Sequence, residues 1–433
     1  MRKLMGSKAP ERKDPLMQED FHYYATYCAA WLAGYTHQES LTIAYSAQFT
    51  DCCCRTFLQK INGPVMAATT QTQIELADCR TDILGLQDIT RIWASFHFLP
   101  KDLYAPLRHR GRHYSSKYRL ICGPDGELVS RTVELARGKS LQAVGIAMHV
   151  LADTWAHSNF AGTPSLVINN TDSCFYELIP DKDTWREEPV VFRHNPAAPE
   201  DVIKRHYTGS VYVGDENSIM NLGHGRAGHL PDYSFIRYKY MPAWGHYRIL
   251  YKDNPSDYEK AFGQMVYALR YLKQVHTGKK AEENIKEEDK GKKEGNIEAC
   301  TEHFMTGIYG EELIAPYRSR IRGILEKRQV NACADWKAFG EELSGMPIED
   351  FDLHKYQQEY LLADTDPDKI EAEGKEETFL GKFFEAAIRQ KSMVTTEIFK
   401  SGNLLAGIPS GKRRELLQLR RLGKTIMKKG KTE

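Results

Sequence analysis

Apolar positions recur at three- and four-residue spacing from Asp20 onward, in the set Phe21, Tyr24, Cys28, Trp31 and Leu32, until Gly34 breaks the run. That period belongs to a helix with one buried face, and the glycine to its stop. A second helix is predicted over residues 38–49, carrying Leu41, Ile43, Tyr45 and Ala47, so residues 20–51 read as a helical hairpin. Residues 71–90 predict another helix, and RIWASFHFLP (91–100) an apolar segment ended by proline. Residues 101–139 mix loop with a short hairpin expected around Gly123-Pro124-Asp125-Gly126, which has turn chemistry. The clearest helix spans residues 140–160: Val144, Met148, Leu151 and Trp155 form its apolar stripe, with Ser140 as N-cap.

Residues 161–215 contain several prolines and few periodic runs, and read as long loops. Helix resumes near Glu216, leads into the glycine-rich GHGRAGH, and returns over residues 258–275. Residues 277–296 are nearly all charge and glycine, an exposed linker or a solvated helix. Beyond it, residues 298–328, 336–344 and 376–400 predict helices. No internal repeat or sustained β pattern is visible. The pattern implies a mainly helical fold, a multi-helix bundle with long loops. Its expected parts are a disordered tail over 1–17, a helical metal-binding domain over 18–276, a charged linker over 277–297, and a helical C-terminal region with a basic tail over 298–433.

Composition narrows the classes. A chain of 433 residues can bury a large core without staples, so a metal here is expected to serve chemistry rather than folding. Its 41% hydrophobic and 27% charged residues are those of a soluble globular protein. The net charge of +1 provides no global field for nucleic acid or an anionic membrane; the basic stretch 412–431 reads as a solvated tail. No apolar run reaches the ~18 residues of a membrane span, and MRKLMGSKAPERKD lacks the apolar core of a secretion signal. Nine cysteines without a CxxC pair argue against a disulfide framework and a cysteine zinc site; the adjacent Cys52, Cys53 and Cys54 read as buried thiols. The expected compartment is the cytoplasm. Nothing fixes an oligomeric state.

Histidine and carboxylate carry the chemistry. In GIAMHVLADTWAHSNFAG, His149, Asp153 and His157 follow one another at spacing four, so each lies about 40° further round the helix and all three share a stripe beside the apolar one. Buried polar groups need partners, and an unsatisfied one costs ~1–3 kcal/mol. A metal ion would serve all three, and backbone carbonyls are the alternative. His224, His229 and Asp232 lie in LGHGRAGHLPDYS, where glycines allow close backbone approach and Pro231 fixes the exit. Gly223, Gly225 and Gly228 also satisfy G-x-G-x-x-G, but no strand precedes them and no acidic residue sits at the dinucleotide-fold distance. That leaves an anion loop or, preferably, a histidine loop completing a metal site.

His22, Asp51 and His97 are the remaining ligand candidates, each weak alone. His37 reads as exposed at a turn. His109 and His113 sit among arginines, which suit a phosphate or carboxylate rather than a cation. HExxH, the paired ExxH of diiron bundles and the GxSxG elbow are absent, and GIPSGKR misses the phosphate-loop spacing.

In chain order, His22, then GxxxxESxxIAYSAQFxD ending at Asp51, then His97, HVLADTWAHSNF and a histidine-rich loop resemble the zinc-dependent phospholipase C and single-strand nuclease superfamily. The AHSNF ending is similar to its heterokaryon-incompatibility branch and to the N-terminal domain of glycosylphosphatidylinositol-specific phospholipase D. FHYYATYCAAWLAGY, FHFLP and GHGRAGHLPD also look like an uncharacterised bacterial family of the same kind. The resemblance covers residues 17–275 and implies an all-α fold with a zinc cluster that hydrolyses phosphate esters. On it, His22, Asp51, His97, His149, Asp153 and His157 fall on ligand positions. His229 and Asp232 are looser matches to the last histidine-plus-acid pair, and His224 is a substitute for His229. The secreted enzymes also ligate through a processed N-terminal tryptophan, and none lies near this start.

The expected function is a metal-dependent phosphoesterase holding two or three zinc ions, with manganese or iron as alternatives. Two cations about 3.5–4 Å apart polarise a phosphoryl group and lower the pKa of a water toward 7. Asp51 or Asp153 would hold the attacking group in line, and Arg226 would contact the phosphate of a small-molecule or lipid ester. A non-catalytic metal-stabilised scaffold and an oxygen-dependent iron enzyme are the competing readings.

Overall fold

The computed structural model describes residues 19–79, 82–105, 117–169, 174–182, 184–193, 200–208, 222–245, 248–276, 310–363 and 374–408. The helices that build and support the site are α1 (Thr26–Leu32), α2 (His37–Phe49), α3 (Ile83–Phe96), α4 (Glu127–Ala136), α5 (Leu141–Ala156), α6 (Asn254–His276), α7 (Arg318–Leu325), α8 (Cys333–Ser344) and α9 (Phe379–Lys400). Their ends follow from local chemistry. Thr36 and Glu39 form a reciprocal capping box at α2: the Glu39 N–H donates to the Thr36 hydroxyl at 3.3 Å, and the Thr36 N–H to the Glu39 carboxylate at 2.8 Å. Asp82 caps α3 and Ser140 caps α5.

The centre is a stack of helices on α5. α2 and α6 pack against it, α1 lies between those two, and α9 covers α3 and α5 from another side. α2 and α5 approach closely because α5 carries Gly145 at the contact: a Cβ there would lie 2.4 Å from the Ile43 carbonyl. One apolar core runs from Phe21 to Ala406, with Phe49, Phe262, Trp336 and Phe383 fully or almost fully buried. Residues 310–408, which follow the charged stretch in sequence, share that core with residues 21–272.

The fold is mainly helical, yet it includes a four-stranded antiparallel sheet in the order β2-β1-β5-β6, which departs from the all-helical expectation. β1 is Tyr176–Asp181, β2 Thr184–Pro189, β5 Arg237–Tyr240 and β6 Leu250–Asp253; β3 (Phe192–Arg193) and β4 (Tyr207–Thr208) form a separate two-residue parallel ladder. β1 and β2 stand where long loops were expected, and β5 and β6 in a stretch for which no element was predicted. Its strands hid because YELIPD and TWREEP mix proline and charge, and β2 is largely exposed. β5 does alternate: Tyr238 and Tyr240 point inward on a second core with Phe98, Phe160 and Phe175. Lys239 lies over the Tyr176 ring and pairs with Glu187, a cross-strand device for an exposed sheet.

Three further expectations change. The turn at Gly123–Gly126 opens α4 rather than a hairpin, with Gly126 at the helix N-cap. The helix expected over 71–90 is two helices, Gln73–Cys79 and α3. His37 is half-buried, with its Nδ1 2.7 Å from the Tyr27 hydroxyl. The 1–17 tail, the 277–297 linker, the helix near Glu216, His109, His113 and the basic tail lie outside the described residues. Among the described residues no helix is long and apolar enough to cross a membrane.

Candidate metal centre

α5 is the spine of the site. His149 and Asp153 lie one turn apart on it, both buried, and His157 forms its C-cap. Three other segments bring partners. His22 comes from a π turn, Asp20–Ala25, that runs into α1, and π turns joined to α-helices recur at functional sites. Asp51 sits in the turn after α2, and His97 is the C-cap of α3.

His22, Asp51, His97, His149 and Asp153 form one group. Asp153 is its centre: Oδ1 lies 3.1 Å from His22 Nε2, and Oδ2 lies 3.2 Å from both His97 Nδ1 and His149 Nε2. Asp51 Oδ1 is 3.6 Å from His97 Nδ1 and 3.9 Å from His149 Nε2, and its Oδ2 is 4.0 Å from His22 Nε2. A second group surrounds Asp232, with His157 Nε2 at 3.4 Å, His224 Nε2 at 3.5 Å and His229 Nδ1 at 3.3 Å. His157 Nδ1, 3.5 Å from Asp153 Oδ2, joins the two groups. The loop bearing His224 needs its glycine: Gly223 has φ +54°, and a Cβ there would fall 2.2 Å from the Phe98 ring.

Backbone carbonyls fix three of the rings. A carbonyl only accepts, so the ring nitrogen facing it carries the hydrogen and the other keeps the lone pair. His97 Nε2 donates to the Thr69 carbonyl at 3.0 Å, His157 Nδ1 to the His97 carbonyl at 2.8 Å, and His224 Nδ1 to the Gly228 carbonyl at 2.8 Å. In His97 and His224 the free nitrogen is the one aimed at a carboxylate, and in His157 the nitrogen facing Asp232 carries a proton that an ion would displace. Outer partners of this kind are what orient metal-ligating histidines.

The spacings fit a shared ion. Two ligands of one tetrahedral zinc, each about 2.0–2.2 Å from it, sit roughly 3.3–3.5 Å apart. Three sets have ligand atoms within 4.8 Å of one another: His22, Asp51 and His149; His97, His149 and Asp153; His157, His224 and Asp232. Several buried atoms also lack hydrogen-bond partners, namely Nδ1 of His22 and of His149, Asp51 Oδ2 and Asp153 Oδ1. Asp153 Oδ1 stands 3.1 Å from His22 Nε2, near the spacing of two ligands of one ion.

The electrostatics are those of buried carboxylates among imidazoles. Burial works to raise the Asp153 pKa, but His157, His149 and His22 outweigh it and hold the carboxyl well below its usual range. Asp232 is likewise depressed: burial opposes ionisation, and His224, His157 and His229 prevail. Burial works against His157 too, yet Asp153 and Asp232 push it up to about 9. His22 and His229 are raised by the same contest, whereas burial lowers His149 and His224.

A model of a family of unknown function, DUF6765, matches residues 17–398. The chain belongs to this family. No curated protein and no solved structure matches it. The matched stretch takes in every residue of both groups, so the DUF6765 region and the candidate centre coincide.

All nine sequence-nominated ligands therefore stand in two adjoining groups. Arg226 lies partly exposed in the 3-10 turn Gly225–Ala227, two residues past His224. Pattern reading missed the supports. Lys252, buried, donates to the Trp155 carbonyl, the Ser158 hydroxyl and Asp257 at 2.6–3.1 Å, which shapes the chain around His157. Asn254 donates to the Leu230 and Tyr233 carbonyls, each at 2.8 Å, and so holds the loop that presents Asp232. Asp20 accepts from the Phe21 and Ala332 N–H groups, each at 2.8 Å, and anchors the π turn to α8. A lysine on a charged strand and an asparagine before a proline carry no signal of such roles.

Proposed function

We propose that this protein is a metal-dependent hydrolase of phosphate esters, with zinc held by His22, Asp51, His97, His149 and Asp153 and by His157, His224, His229 and Asp232. Manganese and iron suit the same nitrogen and oxygen donors. The observation that carries the metal reading is the fixed tautomer of His97 and His224, which turns a lone pair from each ring toward a carboxylate. When bound, such ions polarise a phosphoryl oxygen and lower the pKa of a water toward 7.

Support for hydrolysis comes from the order of ligand motifs, which resembles the phospholipase C and nuclease superfamily, and from the open edge of the site. The Asp51 side chain is 19% exposed where its neighbours are buried, so substrate and water would enter there. Asp51 or Asp153 would hold and orient the attacking water in line, and Arg226 would meet the phosphate of a small-molecule or lipid ester. A reducing compartment, the cytoplasm, suits a chain whose eight described cysteines are all free thiols.

The second reading is a non-catalytic, metal-stabilised scaffold, favoured by the complete burial of His149. Elemental analysis of protein purified without chelators, followed by turnover of bis(p-nitrophenyl) phosphate and p-nitrophenyl phosphate with and without chelator, separates the two. Metal-loaded protein that cleaves phosphate esters, and stops on chelation, supports the hydrolase. Full metal loading with no cleavage of either ester defeats it.

A further inference from the structure

A cleft of about 370 Å³ opens where the short helix Arg55–Lys60, α3 and α9 meet, and none of its lining residues is a nominated metal ligand. Three cationic side chains line it, Arg55, Arg91 and Lys391, against one carboxylate, Asp88. Arg55 pairs with Asp88 at 3.3 Å, and Arg91 Nε donates to the Ala406 carbonyl at 2.6 Å. Lys391 donates to the Ala68 carbonyl at 2.8 Å, and among the described residues no carboxylate lies within ion-pair distance of it. Among the described residues the lining therefore carries two more positive charges than negative ones. Its remaining wall is apolar, with Ile92 and Ile388 inside and Met66 exposed beside them.

From the charge excess and the apolar wall we infer that this cleft binds an organic phosphomonoester, its dianionic head between Lys391, Arg55 and Arg91 and its apolar group along Ile92, Ile388 and Met66. A phosphomonoester carries about −1.5 to −2 at neutral pH, which matches the excess. Guanidinium groups suit phosphate oxygens in paired geometry, and an ammonium serves as a point charge beside them. Clefts of a few hundred cubic ångströms with apolar walls and few convergent polar groups are the usual form of small-ligand sites. Burial lowers the Lys391 pKa to about 8, against the pull of Asp88, so the ammonium is present at neutral pH and inadequately solvated.

The site also touches the metal centre through one stretch of backbone. Ala68 offers its carbonyl to Lys391, and the next carbonyl, that of Thr69, receives the His97 hydrogen. A ligand that draws Lys391 off Ala68 acts on the segment that orients His97.

Benzylphosphonate is the probe, since it keeps a phosphorus dianion and a ring but has no ester to cleave. Calorimetric titration of the full chain, metal-loaded, is compared with Lys391→Met and Arg55→Gln, and with inorganic phosphate as ligand. The expected result is saturable binding that weakens roughly tenfold or more in each variant, with inorganic phosphate weaker than the phosphonate. Arg55→Gln changes a partly exposed side chain and keeps the test open should Lys391→Met fail to fold. Affinity unchanged in both variants, no binding by wild type at millimolar probe, or inorganic phosphate binding as tightly as benzylphosphonate overturns the inference.

Discussion

The Thr69 carbonyl takes the Nε2 hydrogen of His97 at 3.0 Å, which leaves Nδ1 of that ring to face Asp153 at 3.2 Å. A residue with no side-chain role in the site thus decides which nitrogen of its neighbour is free. The same device orients His157 and His224, and it makes the proposed centre preorganised: the ligating nitrogens are aimed before any ion arrives.

Asp153 is the member whose loss is felt most. Asp153→Asn keeps the shape but removes the charge that four histidines surround, and one amide nitrogen would then face imidazoles. The expected outcome is at least tenfold weaker metal binding, with a stability loss on the order of 3 kcal/mol or more, because a buried charged network loses its counter-charge. Elemental analysis after dialysis and urea unfolding read the two effects; unchanged metal content places the ions elsewhere.

Chelation supplies the next prediction. An ion that binds only the folded chain adds about 2.7 kcal/mol when present at a hundred times its dissociation constant. Treatment with a chelator is expected to lower the unfolding temperature by several degrees, and added zinc to restore it. An unfolding temperature indifferent to both argues that the imidazoles and carboxylates serve only one another.

Much of this was legible in the chain. The period of α2 and the Ser140 cap of α5 gave those helices close to their observed ends. The spacing of His149, Asp153 and His157 put them together because a helix of known pitch converts spacing into direction. What pattern could not show is that His157 is already leaving the helix, with φ −91° and ψ 15°, so its Nε2 swings to Asp232 and one stripe becomes two groups. The π turn under His22 and the carbonyls of Thr69 and Gly228 are backbone features that no side-chain pattern encodes. The sheet stayed hidden because its outer strand has little to bury, so alternation, the mark of a half-buried strand, was never written into it.

Gly145 tests how closely α2 must approach α5. In Gly145→Ala the new methyl meets the Ile43 carbonyl and Ser46, which forces the helices apart by backbone movement rather than a rotamer change. A loss of about 1–3 kcal/mol is expected from overpacking of this kind. Asp51 rides on the end of α2, so metal content is expected to fall along with stability. A variant as stable and as metal-rich as wild type means the two helices yield without disturbing the site.

His157 sets a pH dependence whose sign can be worked out. In the metal-free chain its pKa rises from an ordinary 6.5 to about 9, since Asp153 and Asp232 outweigh burial. A group raised on folding stabilises fully below its unfolded value and loses that contribution as pH climbs through the folded one. Metal-stripped protein is therefore expected to lose on the order of 2–3 kcal/mol between pH 6.5 and 9, and His157→Gln to show a flatter profile over that window. Zinc reverses the trend. It competes with the proton for the same nitrogen, so zinc affinity should climb over that interval and level off above it, with protons released on binding. Urea unfolding with and without zinc at several pH values reads both slopes; parallel profiles in the two conditions would remove His157 from the ligand set.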